Sequence, residues 1–325
     1  MTYSDALLRE LRSFLCSPRV LISSHMRPDP DAIGSVLALR EAVIQCGGRP
    51  TCMLEDACPP RCHILTGSAE IQVARETQLR ERFNDVIVVD SGNRDRIGEV
   101  DDHIAPNARI ANIDHHISNT KFGSLNIVDT DAAASGELLF GLFTALDLPI
   151  SQTMATNLLA GILTDTGRFR HANASPASLR VAAALVESGA SLSELTERLY
   201  YSIPAHDVRS TAQILATLEL HADGQISTMF VTREYVVEDP DNLVDLGRAI
   251  EGVEVAVLFS EMKDDRIRVS LRSKSRVNVS AIAESFGGGG HERAAGFRMY
   301  GTLRSVQARL LPSLFGALER NPVTA

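Results

Sequence analysis

The chain has 325 residues, of which 44% are hydrophobic and 22% charged, and its net charge is −9 at pH 7. This charge argues against a broad basic surface for long nucleic acid, and the longest uncharged stretch, residues 148–164, is too short and polar to span a membrane. Five cysteines, an odd number, favour reduced thiols over a disulfide framework. We therefore expect a cytoplasmic globular protein without a membrane anchor.

The first part of the chain alternates helical and β-rich patterns. An amphipathic helix is predicted over residues 2–16, and its apolar stripe leaves a homodimer open. A strand at residues 20–24, a helix at 31–46 and two strands that end at Asp90 and Asp114 follow. This alternation predicts an α/β domain over residues 1–190, with a mostly parallel sheet flanked by helices.

The second part begins with helices and then changes to strands. Helical patterns occupy residues 133–146, 152–163, 176–188, 191–200 and 205–220. We assign residues 191–222 to a helical connector. Strands are then predicted at 226–232, 253–262 and 266–273, with helices at 241–251 and 279–286. They indicate a smaller α/β domain with a mixed sheet over residues 223–325.

Acidic and histidine side chains follow several strands of the first domain. They are His25, Asp29, Asp31, Asp90, Asp114, His115 and His116. Because ligands bind beyond the carboxyl ends of parallel strands, these segments are expected to meet in one crevice. Asp165 ends an apolar helical run and is expected to join them. Taken alone, Asp31 could instead cap the helix that starts there.

The group His25, Asp29, Asp31, Asp90, His115 and Asp165 contains four carboxylates, which repel one another unless they are paired. Two divalent cations would balance those four negative charges. Carboxylates mixed with imidazoles favour Mn²⁺, with Mg²⁺, Co²⁺ or Zn²⁺ as substitutes. Two such ions about 4 Å apart polarise a phosphoryl oxygen and lower the pKa of a bound water. The predicted site therefore suits the hydrolysis of phosphate esters.

The second domain offers features that suit a phosphate ligand. Gly287 to Gly290 leave backbone amides bare, although a glycine run by itself is also typical of a flexible turn. No lysine with serine or threonine follows, which excludes a Walker loop. Arg272 lies on a predicted strand, where a guanidinium binds a terminal phosphate or is simply solvated.

Five ordered segments carry a family resemblance. The stretches "SHMRPDPDAIGS", "VVDSG", "NIDHHISN" and "GILTDTGRF" resemble the four motifs of the DHH phosphoesterase superfamily. "FGGGGHERAAGF" resembles the signature of the DHH-associated substrate domain. The short two-domain layout is most similar to the branch of nanoRNases and phosphoadenosine phosphate phosphatases. Pro30 departs from the family, whose members often carry a small residue between the two acids, but metal geometry is expected to survive.

The resemblance implies a role for individual residues. One metal would be held by His25, Asp29 and Asp90, and the other by Asp31, Asp90, His115 and Asp165. His116 would contact the scissile phosphate, while Asp114 and Asn119 would orient the histidines, so the catalytic set is His116, Asp90 and Asp114. The nucleotide would be held by His116, Asn119, Arg272, Ser273, Gly288, Gly289, Gly290 and His291.

The resemblance also implies a substrate. We expect a two-metal phosphodiesterase that hydrolyses short 5′-phosphorylated oligoribonucleotides and linear dinucleotides to mononucleotides, and that also removes phosphate from 3′-phosphoadenosine 5′-phosphate. Closure of one domain on the other would limit substrate length. The alternatives are a manganese-dependent pyrophosphatase or exopolyphosphatase, a RecJ-type exonuclease, and a nucleotide sensor without turnover. Cleavage polarity, preferred length and the physiological metal stay open.

Overall fold

The computed structural model describes residues 3–77, 82–235 and 241–321, without the side chains of residues 241 and 242. The chain divides into two compact units, Met1–Ser202 and Ile203–Ala325. The predicted boundaries at residues 190 and 222 stay predictions. Residue 2, the start of the first predicted helix, lies outside the described residues.

The first unit contains a six-stranded sheet in which every described strand pair is parallel. Its order is β3-β2-β1-β4-β5-β6. The predicted α/β class with a parallel sheet is therefore confirmed, although β2, β3 and β6 were not predicted. The strands are β1 (Val20–Ser23), β2 (Pro50–Leu54), β3 (Gln72–Val73), β4 (Phe83–Val89), β5 (Ile104–Asp114) and β6 (Leu125–Val128).

Helices and 3₁₀ segments cover the two faces of this sheet. The helices are α1 (Asp5–Leu15), α2 (Pro30–Gln45), α3 (Ser135–Ala145), α4 (Gln152–Asp165), α5 (Pro176–Glu187) and α6 (Leu192–Thr196), which continues into a π-helix, Glu197–Tyr201. The 3₁₀ segment Arg94–His103 adds Ile97 and Val100 to one core. Successive residues of β1 face two different cores. Leu21 packs in the core that contains Ile97 and Val100, whereas Ile22 packs in the core that the helices share. Burial on both faces is typical of a parallel sheet.

The start of α2 explains the proline between the two acids. Asp29 is the N-cap, and its Oδ1 accepts hydrogen bonds from the amides of Asp31 and Ala32, both at 3.0 Å. Pro30 takes the first helical position, where its missing N–H costs nothing. The helix predicted from Asp31 therefore begins one residue earlier.

The apolar stripe of α1 is used within its own unit. Leu11, Phe14 and Leu15 are all fully buried in the helical core. The reason for expecting a homodimer is thereby removed, and the dimer stays an untested prediction.

Helices α2 and α4 approach so closely that glycine is required on both. A Cβ atom on Gly34 would lie 2.1 Å from the carbonyl oxygen of Asn157. A Cβ atom on Gly161 would lie 2.1 Å from Oδ1 of Asp31. This contact brings the first turn of α2 against α4.

The second unit has a six-stranded mixed sheet in the order β11-β12-β10-β9-β8-β7, with β8 and β9 parallel and the other pairs antiparallel. This confirms the predicted mixed sheet. The strands are β7 (Glu219–His221), β8 (Ile226–Val231), β9 (Val255–Glu261), β10 (Arg266–Ser273), β11 (Gly289–His291) and β12 (Ala294–Tyr300). The helices are α7 (Ala205–Leu215), α8 (Asp241–Ala249), α9 (Val279–Ser285) and α10 (Leu303–Arg320).

The helix predicted over residues 205–220 is too long. Helix α7 ends at Leu215, and Glu219 begins a strand that pairs with β8. The hairpin between them places Ala222 and Asp223 at φ +50° and +51° and Gly224 at +83°. Pairing with β8 across this turn makes residues 219–221 a strand, although their apolar spacing continues the helical pattern. No helix among the described residues combines the length and apolarity needed to cross a membrane.

Glu254 holds the loop that follows β10. Its Oε1 accepts hydrogen bonds from the amides of Ser275, Arg276 and Val277 at 2.7–3.1 Å. Burial alone would raise the pKa of Glu254, but these bonds, that of Arg276 first, lower it below the ordinary value.

We expect Glu254 to stabilise the fold most above its unfolded-state pKa of about 4.3. Because the folded pKa is depressed, this contribution is lost as pH falls through the acid range. Glu254→Gln should be less stable than wild type at pH 7, by roughly 1–3 kcal/mol, and the difference should shrink toward pH 3. Urea denaturation at both pH values measures it, and an equal difference at both would contradict the assignment.

Candidate metal centre

The predicted acid and histidine side chains lie at the carboxyl edge of the parallel sheet. The chain order reverses between β1 and β4, which are central neighbours. His25 follows β1, Asp90 follows β4, and Asp114 ends β5. The reversal opens a crevice at this edge, the usual ligand position in such sheets.

Asp90 lies at the middle of the cluster. It is 2% exposed, and its φ of +56° is a left-handed conformation that costs energy for a residue other than glycine. Its Oδ2 is 3.4 Å from Nε2 of His25, and its Oδ1 is 3.5 Å from Nε2 of His115. One carboxylate thus contacts two imidazoles from different segments.

Both imidazoles are oriented by the backbone. Nδ1 of His25 is 2.9 Å from the carbonyl oxygen of Met26, and Nδ1 of His115 is 3.3 Å from that of Ala132. Such contacts hold the Nδ1 side of each ring and point Nε2 at the carboxylates. This is the arrangement that metal-binding histidines require.

Three groups of side chains have ligand atoms within 4.8 Å of one another. They are His25 with Asp29 and Asp90, Asp31 with His115 and Asp165, and Asp90 with His115 and His116. The structure therefore brings together all six side chains expected to bind metal. Nδ1 of His116 already lies 2.7 Å from Oδ1 of Asp114, which favours the first two groups as metal sites.

Asp31 does not cap its own helix. It is fully buried, and its carboxylate accepts the amide hydrogens of Ser135 at 2.7 Å and Gly136 at 3.0 Å. These are the first amides of α3, so the acid satisfies the start of a different helix. The alternative that Asp31 serves only as the cap of α2 is wrong, because Asp29 fills that position.

The carboxylates of the cluster are costly without a cation. Burial, together with the charges of Asp90 and Asp165, raises the pKa of Asp31 well above its ordinary value. Burial also raises the pKa of Asp165, to about 7, although its hydrogen bond with His115 opposes the rise. Burial acts in the same direction on Asp90, but bonds with His115 and His25 outweigh it and hold this pKa well below the usual range.

Burial acts in the opposite direction on the two histidines, because it lowers the pKa of an imidazole. Burial lowers the pKa of His25, but the hydrogen bond and charge of Asp90 have the larger effect and raise it to about 9. For His115, bonds with Asp165 and Asp90 overcome burial and raise the pKa to about 12. The carboxylates therefore draw positive charge onto their neighbours. Oxygen and imidazole ligands in a site that favours positive charge fit divalent cations.

Asp114 and Asn119 connect the cluster to the sheet. Asn119 Nδ2 donates to Oδ2 of Asp114 at 2.6 Å and to Oδ1 of Asn112 at 2.8 Å. The fully buried Asn112 donates in turn to the carbonyl oxygen of Ser91, next to Asp90. Asn112 was not predicted, since an asparagine within a strand pattern gives no signal of this role.

Ser135 is the other residue that sequence reasoning missed. It is fully buried, and its hydroxyl donates to Oδ1 of Asp90 at 3.1 Å, while its amide donates to Asp31. The available signal was Ala134, which occupies the N-cap of α3 and has no side-chain oxygen. A helix with such a cap needs an acceptor from elsewhere.

We expect Ser135→Ala to weaken Mn²⁺ binding by about 10- to 100-fold, since it removes the hydroxyl that orients Asp90. The backbone bond to Asp31 stays, so the fold should persist. A Mn²⁺ titration measures the change. Ser178→Ala, which removes a buried hydroxyl from the capping box of α5, is the control and should leave Mn²⁺ binding unchanged. Equal affinity of Ser135→Ala and wild type would refute the contact's importance.

The predicted nucleotide-binding residues of the second unit are only partly on one surface. Arg272 and Ser273 are neighbours on β10, whose side chains alternate between the two faces. Arg272 is half-buried and its Nη1 donates to the carbonyl of Leu271, whereas Ser273 is fully buried and its hydroxyl has no partner among the described residues. The two side chains therefore point to opposite faces.

The second half of the glycine run belongs to an edge strand, whereas Gly287 lies in the turn before it. Gly289, Gly290 and His291 pair with β12. A Cβ atom on Gly288 would lie 2.2 Å from the carbonyl oxygen of Gly296, and one on Gly290 2.5 Å from that of Ala294. Packing therefore explains two of the glycines, while Gly289 has open space beside it.

These observations define an α/β protein with a carboxylate and histidine cluster at the switch point of a parallel sheet. A family model, "DHH family, N-terminal domain", matches residues 19–162, and the "DHHA1 domain" matches residues 228–311. The chain belongs to the DHH family, as its motifs suggested.

A curated relative shares much of the sequence. The "Bifunctional oligoribonuclease and PAP phosphatase NrnA" of Thermus thermophilus is 35% identical over 93% of this chain and 90% of its own length.

Solved structures share the fold. An exopolyphosphatase-related protein from Bacteroides fragilis superposes with a TM-score of 0.89, at 24% identity over 98% of both chains. The exonuclease RecJ bound to manganese has a TM-score of 0.54, at 15% identity over 93% of both chains. This likeness confirms the fold class.

Proposed function

We propose that this chain is a two-metal hydrolase that degrades short 5′-phosphorylated oligoribonucleotides to mononucleotides and dephosphorylates 3′-phosphoadenosine 5′-phosphate. The observation that carries the proposal is Asp90, a buried carboxylate within 3.5 Å of two imidazole nitrogens at the switch point of the sheet. The printed name of the T. thermophilus relative supports the substrates.

The first two groups of side chains support the division of metal ligands that the family resemblance implies. His25, Asp29 and Asp90 would hold one ion, and Asp31, His115 and Asp165, with Asp90 shared, would hold the other. When bound, a pair of divalent cations polarises a phosphoryl oxygen and lowers the pKa of an attacking water. The ion is proposed to be Mn²⁺, which the mixed donor set favours over Mg²⁺, and which is present in the RecJ structure of the same fold.

His116 is suited to contact the scissile phosphate. Its hydrogen bond to Asp114 raises the pKa of His116 above the ordinary value, against the effect of burial. With Nδ1 facing Asp114, the proton at Nε2 is free to bind a phosphate oxygen or to pass to the leaving oxygen. Asp114 keeps the ring in this orientation, and Asn119 fixes Asp114.

The second unit is proposed to bind the nucleotide. Arg272 forms no ion pair within the described residues, so its guanidinium is available for a phosphate. Open space beside Gly289 permits close approach of a ligand to the backbone. His291 is exposed next to it, whereas Ser273 is buried and would need a different side-chain rotamer to take part.

A substrate panel tests the proposal. Wild type with Mn²⁺ should release mononucleotides from 5′-labelled di- to pentaribonucleotides and phosphate from 3′-phosphoadenosine 5′-phosphate, and a chelator should abolish both activities. The panel also holds pyrophosphate and polyphosphate. Turnover of these alone would favour a pyrophosphatase or exopolyphosphatase, and Mn²⁺-dependent binding without turnover would favour a sensor; either result would overturn the proposal.

A further inference from the structure

The segment after Asp165 has an unusual backbone. Gly167, Arg168 and Phe169 have φ of +56°, +62° and +60°, three consecutive left-handed residues that follow Thr166, the C-cap of α4. For arginine and phenylalanine this conformation is uncommon and costs energy. The turn is held by the amide of Arg168, which donates to the carbonyl of Leu163 at 2.7 Å. Strain of this kind persists only where the surrounding structure fixes it.

The turn places Arg168 against two aromatic rings. Its guanidinium carbon lies 4.8 Å from the ring centroid of Tyr200 and 6.0 Å from that of Tyr201. Nη1 of Arg168 also donates to the hydroxyl of Tyr201 at 3.2 Å. Both tyrosines end the π-helix, a helix type that is frequent at functional sites. We call Arg168, Tyr200 and Tyr201 the stacking platform.

The platform adjoins the acid cluster. The hydroxyl of Tyr200 is 3.2 Å from Oγ1 of Thr164, the residue before Asp165. Asp165 is near enough to contribute to the raised pKa of Tyr200, behind the larger effect of burial. All of these residues belong to the first unit. The platform and the acid cluster are therefore neighbours within the same unit, joined through Tyr200 and Thr164.

One ring of the platform is left in solvent. Tyr201 is 60% exposed, whereas Tyr200 packs partly against the helical core. Arg168 has no ion pair within residues 3–77, 82–235 and 241–321. A cation–π contact at an exposed site adds only about 0.5–1 kcal/mol of stability. This gain alone does not explain why the turn is strained and why Tyr201 is exposed.

We propose that the stacking platform binds one nucleobase of the substrate, next to the phosphate at the acid cluster. A base offers a flat π-face to the exposed ring of Tyr201, and the adjacent guanidinium adds a cation–π contribution. The inference rests on the proposed function and deepens it. The enzyme would then bind a base without sequence preference. Only 5% of the residues in the chain are aromatic.

A cycle of substrate and enzyme changes tests the platform. The substrates are the 5′-phosphorylated diadenosine dinucleotide and its two analogues in which one adenine is replaced by hydrogen. The enzymes are wild type, Tyr201→Leu and Tyr201→Phe. Loss of the stacked base should raise the wild-type KM by about tenfold, as stacking on an aromatic side chain predicts.

Tyr201→Leu should show the same rise with the full dinucleotide, and one of the two analogues should give no further rise. Tyr201→Phe keeps the ring and should behave as wild type. Tyr300→Leu, at a tyrosine that is 73% exposed in the second unit, is the matched control and should retain the wild-type preference for the base.

If the effects of Tyr201→Leu and of base removal multiply for both analogues, the platform does not bind a base and the inference is overturned. Failure of the proposed function looks different, because wild type would then hydrolyse none of the three substrates. Either result refutes the inference, and only the second refutes the function.

Discussion

Asp90→Asn is expected to reduce the turnover of short oligoribonucleotides by more than about 1000-fold, since changes beside metal ligands already cost 10–100-fold. The physical reason is that Asp90 is shared. Its two oxygens face Nε2 of His25 and of His115, so the loss of one charge affects both groups of ligands. Asparagine has the same shape, and the fold should survive. Turnover and Mn²⁺ binding measure the effect.

A second measurement needs no metal. In the metal-free protein, Asp90 raises the pKa of His25, to about 9, against burial. Without the carboxylate charge this pKa should fall, which an NMR titration of the imidazole protons detects. Asp102→Asn, at an exposed carboxylate, is the control and should leave turnover and this pKa unchanged. Turnover near the wild-type level in Asp90→Asn would contradict the two-metal assignment.

The sequence was sufficient to locate the cluster because its residues follow strands. The carboxyl ends of parallel strands share one edge, so the sequence alone predicts that Asp90 and His115 lie close together. Ser135 could not be found in this way. Its hydroxyl matters only because α3 starts between Asp90 and Asp31, which lie 45 and 104 residues away. Three-segment contacts of this kind have no local pattern.

The ends of elements were harder to predict for a similar reason. Apolar spacing continued the helix of α7 to Leu220, but pairing of Glu219 with Thr228 makes that segment a strand. The strands β2 and β6 were not predicted, although β1, which is equally short, was. Tertiary pairing, rather than local propensity, decides such segments.

The close contacts between helices at glycines were also not predicted from the sequence. The sequence pattern does not predict the role of Gly34 or of Gly161. The structure shows that both lie where α2 meets α4. An apolar pattern reports which face of a helix is buried but does not report how closely the neighbouring backbone approaches.

Gly161→Ala is expected to destabilise the protein by about 3 kcal/mol, the upper range for an overpacked core. The added Cβ atom would lie 2.1 Å from Oδ1 and 3.0 Å from Cα of Asp31. Asp31 cannot move away easily, because its carboxylate accepts the first two amides of α3. Relief of the clash must therefore shift α2 or α4, which carry the predicted metal ligands Asp31 and Asp165.

Urea denaturation and a Mn²⁺ titration should reveal both consequences, a lower midpoint and weaker binding. Gly316→Ala separates this effect from the general effect of alanine in a helix. Its Cβ atom would meet only the flexible end of Arg320, at 3.3 Å. That variant should gain about 0.4–1 kcal/mol, because alanine restricts the unfolded chain more than glycine does. If Gly161→Ala instead matched Gly316→Ala in stability and bound Mn²⁺ as wild type does, the close contact between α4 and Asp31 would be wrong.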